Sequence, residues 1–376
     1  MPEHTFTLNG RTVPFEPGQT ILEASEAAGV RIPTLCHLKG TTPTGDCRIC
    51  LVEVEGARSL LASCATPVSH GMHAQTDSSR VVRARKLNIE LLLASGNHDC
   101  LAMELGPDRW TDFQLLSAEK QLTADRCPAW GDCRLQDLAI EYGVRTDRFE
   151  PRKSHPPTET VNPLIVRDFS RCILCGRCVK ACNEVQVNLA ISHGYRGADT
   201  KIVASGDRPL SDSDCVFCGE CVQACPVGAL VEKKSLNRWR PWAVEKVRTT
   251  CPYCGVGCQI WLHVREGEIV KATGVEGAEP NRGRLCVKGR FGFDFIHSEE
   301  RLTTPLVREN GRLREAAWDE ALDLVAGTFR DIISAHGPDA VAGVSCARSI
   351  NEDSYQMQKL FRAVFKTNNI DHCART

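Results

Sequence analysis

The sequence predicts an α+β protein assembled from several small domains, and three observations carry that prediction. Cysteine is abundant, with 21 copies in 376 residues, and most copies fall in tight groups. A hairpin followed by a capped helix opens the chain. Alternating strand and helix signals close it.

Lysine and arginine (46) balance aspartate and glutamate (47), for a formal net charge of −1. That balance gives no reason to expect a nucleic-acid or membrane-surface partner. No stretch is long enough to span a membrane. The first twenty residues lack the apolar run or twin arginine of an export signal. A secreted disulfide scaffold is short and carries such a signal. The odd cysteine count and the CxxC groupings point instead to metal binding in a reducing cytoplasm.

Thr5 to Leu8 alternates, Asn9 and Gly10 suit a type I′ turn, and Arg11 to Phe15 returns, which predicts a β-hairpin. Thr20 and Glu23 form a capping box before a short helix that Gly29 stops. A hairpin followed by a helix suits a small β-grasp domain. Asp77 and Ser78 cap a second helix to about Ala94, with Val82, Leu87, Leu91 and Leu92 as its apolar side and Arg80, Arg83, Arg85 and Lys86 toward water. Leu138 to Tyr142 ends another helix. Glu150 to Pro163, with four prolines and no apolar periodicity, reads as a linker. Leu306 to Leu313 is a hairpin turning at Asn310 and Gly311. Trp318 to His336 is a helix stopped by Gly337 and Pro338. Ala340 to Val344 reads as a buried strand, with Cys346 a small core residue after it. Ser349 and Glu352 cap a helix to about Phe365.

One repeat stands out. Cys172, Cys175, Cys178 and Cys182 recur with identical spacing as Cys215, Cys218, Cys221 and Cys225, the last followed by Pro226. This is the two-cluster bacterial ferredoxin pattern, in which each fourth cysteine serves the other cluster. It assigns Cys172, Cys175, Cys178 and Cys225 to one 4Fe–4S cluster and Cys215, Cys218, Cys221 and Cys182 to the other. A pair of zinc sites has no use for two runs of four at this spacing.

Cys36, Cys47, Cys50 and Cys64 fit a 2Fe–2S cluster or a structural zinc, with ten residues where the plant-type pattern has four between the first two. Cys251, Cys254 and Cys258, with Cys286 downstream, form a further 4Fe–4S candidate, and Arg284, Lys288 and Arg290 put positive charge beside it. Lys288 is either a surface lysine or a group that tunes potential or binds an anionic cofactor. His98, Cys100, Cys127 and Cys133 suit a mixed His/Cys3 cluster; an exposed His98, or Asp99 in its place, are the alternatives. No dinucleotide or Walker motif is present, so a nicotinamide or flavin would sit on a partner.

Along the chain the order is 2Fe–2S, His/Cys3, double ferredoxin, then CPYCGVGC followed by RLCVKGRFGFDFIH, and in this the sequence resembles the catalytic subunit of cytoplasmic NAD(P)-linked formate dehydrogenases. Its first part also resembles the large iron–sulfur subunit of respiratory NADH dehydrogenase and the front of iron-only hydrogenases. The resemblance implies a 2Fe–2S domain (1–78), a His/Cys3 4Fe–4S domain (79–150), a linker (151–163), a double 4Fe–4S domain (164–240), a molybdopterin oxidoreductase 4Fe–4S domain (241–303) and the start of an α/β catalytic domain (304–376). It further implies a molybdenum or tungsten bis(molybdopterin guanine dinucleotide), formate as substrate, a diaphorase partner, and Lys288 between cluster and pterin. The His/Cys3 site departs from the family: His-x-Cys replaces His-x3-Cys, and Leu101 to Arg126 separate cysteines usually two apart. The run CARSINEDSYQMQKLFRAVFKTNNIDHCART is similar to the segment that approaches the metal. The metal-ligating cysteine or selenocysteine would follow Thr376, so an in-frame UGA codon read as a stop is expected there, and this polypeptide alone is expected not to turn over formate.

Overall fold

The computed structural model describes residues 4–98, 127–144, 148–150, 152 and 155–373. Cys100, the 101–126 insertion and residues 374–376 lie outside the described residues. The chain divides into two compact units, Met1–Val244 and Glu245–Thr376.

The first unit opens with β1 (Thr5–Leu8) and β2 (Arg11–Pro14), joined by Asn9 at φ +51° and Gly10 at φ +79°. Both central residues are left-handed, as a type I′ turn requires. Helix α1 (Ile21–Ala27) carries the expected capping box: Thr20 Oγ1 accepts from Glu23 N–H at 3.2 Å, and Glu23 Oε2 accepts from Thr20 N–H at 2.8 Å. Strands β3 (Leu51–Val54), β4 (Leu61–Ala62) and β5 (His73–Gln75) complete a five-stranded sheet of order β2-β1-β5-β3-β4. In it β1 and β5 are parallel. Phe6, Leu8, Ile21, Leu22 and Val52 form its core.

Helix α2 (Ser79–Ala94) starts at Ser78 as expected, but its inward face is Val81, Arg85, Ile89 and Leu93. Of the apolar side read from the sequence, Leu92 packs at the edge of the core, Val82 and Leu87 are half-buried, and Leu91 is exposed. Arg85 does not face water. It is 3% exposed, donating to the Leu51 carbonyl at 2.7 Å and to the Tyr142 hydroxyl at 3.0 Å. Its head ties α2 to β3 and to the end of α3 (Arg134–Glu141). Arg85→Ala strands both acceptors and opens a void, so it should lower unfolding free energy by about 3 kcal/mol in a urea titration. Arg83→Ala, on the exposed side, should change it by less than about 0.5 kcal/mol.

The end of the proline-rich stretch, 159–163, is held by hydrogen bonds and an ion pair. Asn162 is fully buried, its Oδ1 accepting from the N–H groups of Leu164 and Ile165 at 2.8 and 2.9 Å. Glu159 pairs with buried Arg167 at 2.6 Å. Beyond it, β6 (Ile165–Arg167) pairs antiparallel with β9 (Leu230–Glu232) and closes the ends of the cysteine repeat together. Between them lie α4 (Arg177–Lys180), the hairpin of β7 (Ile191–Gly194) and β8 (Lys201–Ala204), and α5 (Glu220–Ala224). One buried cluster joins Leu35 and Cys36 to Ile89, Leu135, Cys175 and Val227, so the amino-terminal loop, α2, α3 and the repeat share a core.

The second unit begins with an antiparallel sheet of β10 (Glu245–Thr250), β11 (Gln259–Arg265) and β12 (Glu268–Gly274), followed by α6 (Val287–Phe291). A hairpin follows, β13 (Leu306–Glu309) with β14 (Arg312–Glu315), then α7 (Trp318–His336). The last strand pair, β15 (Gly343–Ser345) with β16 (Ile370–His372), is parallel and connected through α8 (Asn351–Lys359). Three expectations need correction here. A 3-10 turn occupies Pro338–Ala340, so the strand starts later, and Val344 is 77% exposed. Cys346 is exposed, not core, with its sulfur 3.6 Å from that of Cys373. Ser349 does not cap α8: its hydroxyl donates to the Cys346 carbonyl at 2.8 Å, and Ile350 holds the cap position without a side-chain bond.

Candidate iron–sulfur centres

The repeat builds its site from backbone first. In the first loop Leu174 has φ +52° and Gly176 φ +69°; in the second, Phe217 has φ +53° and Gly219 φ +75°. Two left-handed residues flanking the middle cysteine turn successive N–H groups inward, a geometry that favours negative charge. The Leu174 and Arg177 amides hydrogen-bond the sulfurs of Cys172 and Cys175, and the Phe217 amide reaches Cys215 Sγ at 3.4 Å. All eight cysteines of the repeat line one cavity of about 50 Å³, walled by apolar residues such as Ile173, Ile191, Ile202 and Val227.

Burial pushes the Cys172 thiol up to about 11 and Cys175 to about 12. Burial likewise raises Cys178, Cys215 and Cys225. The Cys225 thiol donates to the Val227 carbonyl at 2.9 Å. Thiols in such a space keep their protons unless a cation replaces them. Amides aimed at sulfur, around an apolar cavity ringed by eight thiols, fit iron–sulfur cores. Among the described residues, no three cysteine, histidine or acidic side chains converge on one metal-ion position. The sulfurs surround a space rather than a point.

Near the amino terminus, Gly45 at φ +67° and Arg48 at φ +56° bend the loop that carries Cys47 and Cys50. The sulfurs of Cys50 and Cys64 lie 3.3 Å apart, and the Cys36 amide donates to Cys47 Sγ at 3.4 Å. Hydrogen bonding within each pair draws Cys36 and Cys50 down to about 6, and pushes Cys47 and Cys64 up. Four sulfurs thus sit as two neighbouring pairs, each able to lose a proton.

Of the mixed set, His98, Cys127 and Cys133 are described. Burial, reinforced by Arg171, draws His98 down to about 4, so the ring is neutral as a metal ligand must be. The preceding amide, Asn97 N–H, donates to the Ser170 carbonyl at 2.7 Å. A Cβ at Gly228 would lie 3.0 Å from Cys127 Sγ. The amide after Cys133, Arg134 N–H, donates to the Pro226 carbonyl at 2.9 Å. Asp168 N–H donates to Ala229 at 2.8 Å, joining these neighbourhoods. Each of the three therefore lies next to a segment that flanks the repeat: His98 by Ser170, Cys127 by Gly228 and Cys133 by Pro226.

In the second unit, Cys251 N–H donates to the Cys258 carbonyl at 2.8 Å, and Gly257 at φ +71° turns the chain between Cys254 and Cys258. Cys286 stands at the start of α6, and a Cβ at Gly289 would lie 3.5 Å from Cys251 Sγ, in ordinary contact. Burial raises Cys251, with Cys286 and Cys254 adding to the effect. Cys251, Cys254, Cys258 and Cys286 thus share one neighbourhood. Lys288 is exposed, its Nζ 5.7 Å above the Tyr253 ring. Arg290 is buried rather than a free surface charge. The loop bearing Cys286 depends on Gly274, where a Cβ would stand 1.9 Å from the Gly283 carbonyl oxygen. Gly274→Ala must push this loop aside; we expect it to lose the iron held by this group while the other centres keep theirs, measured as iron per chain.

Sequence reasoning passed over Arg177, Lys180 and Glu220, all buried beside the repeat. The available signal was a charge mismatch between the two halves: Arg177 and Lys180 in one stand where Glu220 and Gln223 stand in the other.

Four family descriptions match the chain: a 2Fe-2S iron-sulfur cluster binding domain at 2–79, a 4Fe-4S dicluster domain at 171–229, a molybdopterin oxidoreductase Fe4S4 domain at 244–298, and a molybdopterin oxidoreductase domain at 301–376. The chain is 35% identical over 98% of its length to an NADH-quinone oxidoreductase subunit of Rhizobium meliloti. It is 36% identical over 99% to the alpha subunit of the NADPH-Fe(3+) oxidoreductase of Geobacter sulfurreducens. A provisionally named formate dehydrogenase of Staphylococcus aureus is 30% identical over the whole chain. The chain spans about 40% of the length of these relatives. Among solved structures, one chain of an NAD+-reducing [NiFe]-hydrogenase in the H2-reduced state matches with a TM-score of 0.52 and 34% identity, covering 61% of this chain and 88% of that one. Among the described residues, no helix is long and apolar enough to cross a membrane. The chain therefore belongs to the iron–sulfur oxidoreductase family that includes this hydrogenase chain, as an iron–sulfur electron-transfer module joined to a region that matches molybdopterin oxidoreductases.

Proposed function

We propose that the chain is the cytoplasmic iron–sulfur relay of a formate dehydrogenase catalytic subunit, linking a molybdopterin centre to an NAD(P)-reducing diaphorase partner. The observation that carries the relay is the twin loops, whose eight cysteines line one apolar cavity and whose amides bond the sulfurs of Cys172, Cys175 and Cys215. In this reading Cys172, Cys175, Cys178 and Cys225 hold one 4Fe–4S cluster, and Cys182, Cys215, Cys218 and Cys221 the other. Cys36, Cys47, Cys50 and Cys64, in a β-grasp domain, hold a 2Fe–2S cluster. His98, Cys100, Cys127 and Cys133 hold a mixed 4Fe–4S cluster, and Cys251, Cys254, Cys258 and Cys286 a last one. Bound clusters would supply one-electron chemistry, and a molybdenum or tungsten pterin the two-electron oxidation of formate. The chain's own part is to bury the thiolates, donate amide hydrogen bonds to them and exclude water. Lys288 is assigned to an anionic pterin.

A second reading, favoured by the NADH-quinone and NADPH-Fe(3+) oxidoreductase relatives, makes the chain an electron-transfer subunit with no substrate site of its own. Native protein purified anaerobically from its source separates the two. The formate reading expects pterin-bound molybdenum or tungsten and formate-dependent dye reduction. Clusters reducible through a nucleotide-linked partner, with neither metal nor formate activity, would establish the second.

A further inference from the structure

The two halves of the cysteine repeat are near-identical in spacing and opposite in charge. Arg177 and Lys180, one helical turn apart on α4, are 4% and 7% exposed. At the same places on α5 stand Glu220, 6% exposed, and Gln223. The half bearing Cys178 therefore carries two buried cations, and its twin a buried carboxyl.

The cations also face a particular neighbour. Arg177 Nε donates to the Ala224 carbonyl at 2.6 Å, one residue before Cys225, and its Nη1 donates to the carbonyl of His37, one residue after Cys36. Lys180 Nζ donates to Thr44 Oγ1 at 3.0 Å. In the opposite direction, Thr42 N–H donates to Glu184 Oε2 at 2.6 Å. The loop between Cys36 and Cys47 is thus stapled to α4 and the turn after it at three places. Holding two charges out of water is costly unless negative charge lies nearby, and thiolate-bound cores are negative. Charge and hydrogen bonds close to a cluster set its potential.

We infer that Arg177 and Lys180 are positioning residues that polarise the two-cluster module, making the site of Cys172, Cys175, Cys178 and Cys225 the more easily reduced and holding the Cys36 loop against it. The inference rests on the cluster assignment above and assigns the direction in which the module favours the electron. A buried cation stabilises the more negative, reduced form, and a buried carboxylate opposes it.

The test is an anaerobic redox titration of the loaded chain, followed by electron paramagnetic resonance. In the unmutated chain the two centres of the repeat should titrate separately, with oxidised-to-reduced ratios at least about tenfold apart, which is about 59 mV for one electron. Lys180→Gln, which copies the twin, should lower the higher of the two potentials by a similar amount; Lys180→Arg should leave it unchanged. Glu220→Gln should raise the other. A single shared midpoint in the unmutated chain overturns the inference, as do fully loaded variants with unmoved potentials or with shifts of the same sign. If Lys180→Gln loses iron while Lys180→Arg keeps it, the need for a cation is upheld; equal loss in both overturns it. A chain without iron or labile sulfide would instead defeat the cluster assignment itself.

Discussion

Replacing Cys178 by alanine should remove about four of the irons held by an anaerobically reconstituted chain and lower its stability by several kcal/mol. Cys178 is the last cysteine of the first triplet, 8% exposed, and lines the shared cavity on the helix that also carries Arg177 and Lys180. Its loss leaves three thiols around a core that needs four, and a methyl where sulfur filled the wall. Because one cavity serves both halves, the twin site should also become labile, and prolonged air exposure should cost the variant more than half of the module's iron. Cys346→Ala supplies the contrast. Its thiol is exposed and far from the repeat in sequence, so iron content and unfolding midpoint should match the unmutated chain.

Proton linkage should have the next largest effect. Burial places Cys172 at about 11 and Cys175 at about 12, so the metal-free fold keeps these thiols protonated at neutral pH. Each thiol that takes iron must release a proton, and apparent iron affinity should fall by at least about tenfold per pH unit from pH 8 to pH 6. The metal-free protein should respond with the opposite sign. A thiol whose folded value is raised contributes stability below its unfolded value near 9, and that stability is lost as pH climbs toward 11 and 12. Chemical unfolding of the metal-free chain should therefore weaken by a few kcal/mol between about pH 8 and pH 11, while iron uptake improves. Uptake independent of pH would contradict the burial of these sulfurs.

Local rules made much of the fold legible. Asn9–Gly10 and Asn310–Gly311 form the hairpin turns their residue types demand, with all four residues at positive φ. Thr20 and Glu23 close their capping box, and Trp318–His336 ends at Gly337 as read. The cysteine repeat was legible because sulfur ligation imposes spacing directly on sequence. What failed depends on partners distant in the chain. Arg85 reads as part of a wet basic run, and only the Leu51 carbonyl and Tyr142, brought in by other elements, make its burial tolerable. Val344 has the composition of a buried strand residue but lies in a two-stranded sheet that leaves it open. Arg177 and Lys180 lie inside a recognised motif, yet their role appears only once the Cys36 loop is seen against them.

The measurement closest to the central claim is iron and acid-labile sulfide per chain in anaerobically purified protein, taken with its visible spectrum. Five clusters predict about 18 irons, a matching amount of sulfide, and a brown protein that bleaches on reduction. A colourless protein holding zinc, with neither iron nor sulfide, would contradict it.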